Sequence, residues 1–231
     1  MSQDVQSPAF VLRRKPFREQ SLLLDLFTES HGKITCIAKY SKTQAARLRA
    51  IFEPLRLLDV RWRGRGEVFT LFDVDEVQRF SLKEAALIQG TYATEILLRG
   101  LETGQALPEL FHLYHTLLEV LNHQPSLSLL NQFELAFLEQ HNQVLNLEAD
   151  DLTGELLNPQ HSYRFHANHG IVPAPTVIKE KGITISGQLL CALRQPDTLT
   201  PEQRHELRQV LDQMMYYHLN GKTLYARQLL Q

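Results

Sequence analysis

Nine basic side chains fall between residues 33 and 65 (Lys33, Lys39, Lys42, Arg47, Arg49, Arg56, Arg61, Arg63 and Arg65), against two acidic ones, Glu53 and Asp59. Lysine brings a compact charge and arginine a planar fork of donors, and both suit phosphate oxygens. A local excess of +7, nine cations less two anions, in a chain of net charge -2 is an electrostatic footprint for a phosphate backbone. The charge is also divided unevenly along the chain. Residues 1–80 hold 14 Lys+Arg and 10 Asp+Glu, whereas residues 81–231 hold 10 and 16. A membrane surface would call for a basic amphipathic helix, but the pattern here is that of strands, so nucleic acid is the expected partner. Phosphate contacts imply strong salt dependence and little base specificity. Trp62, between Arg61 and Arg63, has two readings. It is a base-stacking platform, or it is a core residue on the face that alternation shares with Leu58 and Val60.

Other chemistry is weakly signalled. Gly221-Lys222-Thr223 matches the end of a phosphate-binding loop, but the glycine needed five residues earlier is Tyr216 and a helical pattern precedes it. His161, His166 and His169, near Asp150 and Asp151, have the residue types of a metal centre, and a metal-dependent hydrolase is the enzyme reading to test. Histidines in a polar loop without a cysteine pair favour solvated side chains. Ser and His residues form no nucleophile signature. The two cysteines, Cys36 and Cys191, are too few for a disulfide framework and read as reduced, buried thiols. No catalysis, metal or cofactor is expected. With neither a secretory pattern nor a long apolar run, the expected location is the cytoplasm.

The elements that hold the basic strip read as short strands. Alternation marks 9–12, 21–27, 33–39, 57–63 and 68–74, with Gly32 and Gly64-Arg65-Gly66 supplying turns. Five strands in this length fit a small closed barrel of the oligonucleotide-binding (OB) type. After Phe80 the apolar period becomes helical, through Tyr92, Ile96 and Leu97, then Leu110, Phe111 and Tyr114, then Leu130, Phe133 and Phe137. Pro108 can open the second of these helices and Ser126 can cap the third. Thr200, Pro201 and Gln203 form a capped helix start, and Asn220-Gly221 a stop. The expected fold is α+β: an OB barrel over 1–80, then an all-α domain over 81–231 interrupted by an irregular segment at 146–185.

Taken in order, several segments resemble the RecO family of bacterial recombination mediators. They are Ala9-Phe10-Val11-Leu12, Ser21-Leu22-Leu23-Leu24-Asp25-Leu26-Phe27-Thr28-Glu29, Gly32-Lys33, Ala38-Lys39, Phe52-Glu53-Pro54-Leu55, Arg63-Gly64-Arg65-Gly66-Glu67, Phe133-Glu134-Leu135 and Leu219-Asn220-Gly221-Lys222-Thr223-Leu224. The resemblance implies a cytoplasmic, nucleoid-associated, non-enzymatic repair factor with an OB domain and a helical domain. It would bind single- and double-stranded DNA, anneal complementary strands, and engage RecR and the C-terminal tail of single-stranded DNA-binding protein (SSB). With RecR it would help RecA replace SSB. The chain departs from the family pattern in three places. The segment around Asp150-Asp151 and Val172-Pro173-Ala174-Pro175 lacks the four cysteines of a zinc site, so a zinc-free variant is expected. Tyr40 replaces a glycine, and Asn131-Gln132 stands where a basic residue is usual. An RNA- or tRNA-binding OB module is the alternative function.

Overall fold

The computed structural model describes residues 4–230. The described residues of Met1–Leu127 and Leu224–Gln231 form one compact unit, and Ser128–Thr223 form another.

The first unit is built on a barrel of β1 (Val5–Pro16), β2 (Ser21–Thr28), β3 (Gly32–Lys39), β4 (Arg56–Arg63) and β5 (Val68–Arg79). Its order is β1-β2-β3-β5-β4, closed by antiparallel pairing of β1 with β4 from Val5↔Trp62 to Phe10↔Leu57. β3 and β5 run parallel, and α1 (Ala45–Ile51) connects β3 to β4. This is the OB-like barrel that the alternation predicts. Two strands run further than alternation indicates. β1 continues through Arg13-Arg14-Lys15 because it serves two neighbours, giving its first half to β4 and its second to β2. β5 continues to Arg79 to pair along the full length of β4. The inward row includes Ala9, Val11, Leu24, Ile34, Cys36, Leu58 and Val60. Trp62 belongs to it, only 2% exposed and with its ring edge-on to His31 at 5.4 Å, so it fills the core and cannot stack on a base. Burial, with the charge of Asp25, pushes the Cys36 thiol up to about 12, leaving it inert.

Phe10 and Phe27 point out of the barrel and are nevertheless completely buried. Two helices, α2 (Glu84–Gly100) and α3 (Pro108–Leu121), cover that wall. Phe10 meets Phe111 at 5.0 Å and Tyr114 edge-on at 4.8 Å, and Phe27 meets Phe111 at 5.4 Å. Gly32 makes a second join at the tight turn between β2 and β3. Its φ is +63° and a Cβ there would lie 1.8 Å from the Gln105 carbonyl oxygen, so only glycine fits. The chain end also returns to α2, where the Glu95 carboxylate accepts the Tyr225 and Ala226 backbone N–H groups at 3.1 and 2.9 Å.

The second unit holds α4 (Leu127–Glu139) from Ser128 onward, α5 (Gly187–Ala192) and α6 (Pro201–His218). Thr200 caps α6 through a reciprocal pair with Gln203, as its sequence predicts. The segment 146–185 is not wholly irregular. It contains two strands of a three-stranded antiparallel sheet of order β7-β6-β8, with β6 (Ser162–His166), β7 (Gly170–Pro173) and β8 (Ile183–Ser186), the last ending one residue beyond it. The unit is therefore not all-α. These strands span four or five residues and are separated by Gly, Pro and Asn, too short for alternation to register.

His218 ends α6 packed against Phe137, at 5.4 Å, and His141, at 4.4 Å. Burial, reinforced by His141, lowers its pKa to about 4 from 6.5. The folded chain thus keeps this ring neutral where the unfolded chain would protonate it. Its contribution to stability is complete above pH 6.5 and lost as pH falls toward 4. The urea midpoint should fall less between pH 7 and pH 5 in a His218→Phe variant than in the parent.

Candidate nucleic-acid interface

The nine cations of the strip occupy different surroundings. Lys33 is half-buried and its Nζ donates to the Leu98 carbonyl of α2 at 3.2 Å, while burial lowers its pKa. Arg56 is buried and ion-paired with Glu76. Arg61 bonds Asp73 at 3.1 Å and Gln6 at 3.1 Å. Arg49 lies over the Tyr40 ring at 5.7 Å. Arg63 lies over the Phe72 ring at 5.3 Å. Lys39, Lys42, Arg47 and Arg65 are exposed, Lys42 and Arg47 around α1 and Arg65 in the β4–β5 turn.

Strand pairing therefore redistributes the charge read along the sequence. β5 lays Asp73 opposite Arg61 and brings Glu76 to Arg56, carboxylates that lie beyond the strip and are invisible to a local count. Other cations join from outside it. Arg13 is ion-paired to Asp25 at 2.6 Å, Arg14 to Glu53 at 2.5 Å, and Lys15 is exposed. The registers align Lys15 with Leu23, Leu23 with Ile37, Ile37 with Thr70 and Thr70 with Arg63. This outward row crosses five strands, roughly 19 Å at the usual strand spacing. A cation stands at each end, and partly exposed apolar and small groups lie between. That arrangement can hold phosphates at its rims and unpaired bases along its middle, over the low end of the ~4–16 nucleotides an OB fold accommodates.

Phe72 escaped the sequence reading. The signal available for it was β5 alternation, which places Val68, Thr70 and Phe72 on one face and Phe69 and Leu71 on the other.

The histidines and aspartates weighed as a metal centre are not brought together. His161 and His169 are exposed, whereas His166 is buried beneath Gly182, where an added Cβ would come within 2.6 Å of Nε2. Asp150 is occupied by the Leu152 and Thr153 backbone N–H groups and the Thr153 hydroxyl, and Asp151 by the Ile171 N–H at 2.7 Å. Among the described residues no three His, Cys, Asp or Glu side chains could hold a metal ion. Gly221-Lys222-Thr223 follows the end of α6, with Asn220 and Gly221 both at positive φ, which is a helix stop and not a phosphate loop. No helix among the described residues is long and apolar enough to cross a membrane.

Residues 1–80 match the family described as Recombination protein O N terminal, and residues 85–227 match Recombination protein O C terminal. This chain belongs to the RecO family. Its relatives include the DNA repair protein RecO of Methylococcus capsulatus, 34% identical over 96% of this chain and 90% of that protein. The DNA repair protein RecO of Ralstonia nicotianae is 32% identical over 97% of this chain and 83% of its own length. Membership in the RecO family attaches the chain to DNA repair, and the barrel with its exposed cations is this family's N-terminal region.

Proposed function

We propose that this RecO-family chain is a non-enzymatic recombination mediator whose barrel wall holds the phosphates of single- and double-stranded DNA. The observation that supports this reading is the exposed outer face of β3, β5 and β4. Lys39 and Arg63 are exposed on it and Arg65 is exposed in the adjoining β4–β5 turn, while the opposite wall is covered by α2 and α3. Two strands drawn to one basic surface repel each other less, which assists annealing. In the same reading the helical region docks RecR and the SSB tail, and the complex helps load RecA onto SSB-coated single strands. An SSB tail peptide stripped of its terminal acidic and apolar residues should then fail to bind.

Binding to a labelled oligonucleotide, measured against salt, tests the DNA surface. Arg63→Glu with Arg65→Glu should weaken binding at low salt and flatten the log–log slope by roughly 1–2, since each phosphate contact contributes about 0.7–0.9. Arg61→Glu alone should change the slope less, because Asp73 already occupies that guanidinium. An unchanged slope in the double variant overturns the assignment. Matched DNA and RNA oligonucleotides separate it from an RNA-binding module, because the 2′-hydroxyl carries that discrimination.

A further inference from the structure

β5 presents Val68, Thr70 and Phe72 outward, and Val68 and Phe72 are 46% and 43% exposed. Such a strip on a solvent-facing strand has cations on both sides. Arg63, on β4, pairs with Thr70 and reaches over the Phe72 ring at 5.3 Å. On β3, pairing with β5 ends at Ala38↔Leu71, and Lys39 and Phe72 each follow by one residue, both exposed. The chain's single tryptophan is inside the barrel, which leaves Phe72 as the exposed aromatic ring of this wall. Beyond Phe72 the strand turns acidic at Asp73, Asp75 and Glu76, which limits a phosphate path to the end nearer the β4–β5 turn.

We propose that Phe72 is a stacking platform for an unpaired base, and that it makes this wall prefer single-stranded to duplex DNA. The inference rests on the reading of the wall as a DNA interface and names the form of DNA it selects. A duplex offers phosphates to Lys39, Arg63 and Arg65 but hides the faces of its bases. Only a base outside a duplex can lie on the ring. To do so it displaces Arg63, whose exposed cation–π contact is worth about 2- to 5-fold in affinity, whereas one stacked base is worth roughly 5- to 150-fold. The exchange favours the base. It also frees the guanidinium beside the incoming nucleotide, where it takes the phosphate.

The test is anisotropy with three probes of equal length: an oligothymidylate, a duplex, and an abasic single strand that keeps the phosphates and lacks the bases. Phe72→Ala should weaken oligothymidylate binding by at least about 5-fold, the lower bound for one stacked base, and leave the duplex, the abasic strand and the salt slope unchanged. Phe72→Trp should restore the oligothymidylate affinity. Unaltered oligothymidylate binding by Phe72→Ala overturns the proposal. So does an equal loss on all three probes, which would mean that the ring only shapes the wall. Failure of the interface reading itself is a different result: Arg63→Glu with Arg65→Glu would then leave all three probes and their salt slopes as in the parent.

Discussion

Trp62→Ala is expected to lower the unfolding free energy by about 3–5 kcal/mol, the range for removing a large aromatic from a packed core. The side chain is among the largest of the fully buried ones and sits near the seam where β4 closes against β1, with Val5 as its register partner. Its loss opens a cavity lined by strands that cannot slide inward without breaking their pairing. Urea unfolding followed by far-UV circular dichroism measures the loss. Trp62→Phe keeps part of the ring and should lose less. Folded Trp62→Phe protein should show the parent's slope of DNA affinity against salt, because the side chain never reaches the surface. A change of slope in that variant would contradict the core assignment.

Arg208→Met should cost a similar amount, about 3–5 kcal/mol, for an electrostatic reason. Glu134 on α4 is 0% exposed in its side chain and Arg208 on α6 is 16% exposed. The guanidinium grips both carboxylate oxygens, with Nη2 to Oε1 at 2.5 Å, and also donates to Asn131 at 2.9 Å and Asp212 at 3.1 Å. Removing the arginine strands a desolvated carboxylate. Removing both charges does not. Combining Arg208→Met with Glu134→Leu should therefore recover most of the loss, and the double-mutant cycle in urea reads the coupling directly. A double variant no more stable than Arg208→Met would mean that the damage lies in packing and not in stranded charge.

The sequence carried the barrel well where one strand face meets the core. Alternation at Ile34, Cys36 and Ala38 was enough to orient β3; at Leu58, Val60 and Trp62 it grouped the tryptophan with the core face but left base stacking open, and burial in the closed barrel decides it. Alternation failed where burial has another cause. Phe10 and Phe27 are covered by helices on the outer wall, so β2 is buried on both faces and its alternation blurs. α1 escaped notice because it is only seven residues long and its apolar face is just Ala45, Leu48 and Ile51 among basic neighbours, too short a run for the helical period to register. The cations were legible as a composition but not as a surface. Their effective charge depends on which carboxylates β5 places beside β4, and register is a long-range property. Asn131-Gln132 and Phe133-Glu134-Leu135 were visible as family-pattern positions. That Asn131 and Glu134 converge on an arginine 74 residues beyond Glu134 was not.

Pairing of β1 with β4 leaves this barrel without a free strand edge. Its main-chain donors and acceptors are largely committed to the ladder, so a ligand on the outer wall meets side chains and turns. Binding there is a coating laid over a finished scaffold. Exposed positions such as Lys39, Arg63, Arg65 and Phe72 can be exchanged one at a time without disturbing a ladder hydrogen bond. A lineage can thus retune what this wall presents by drift at the surface while the fold beneath stays still.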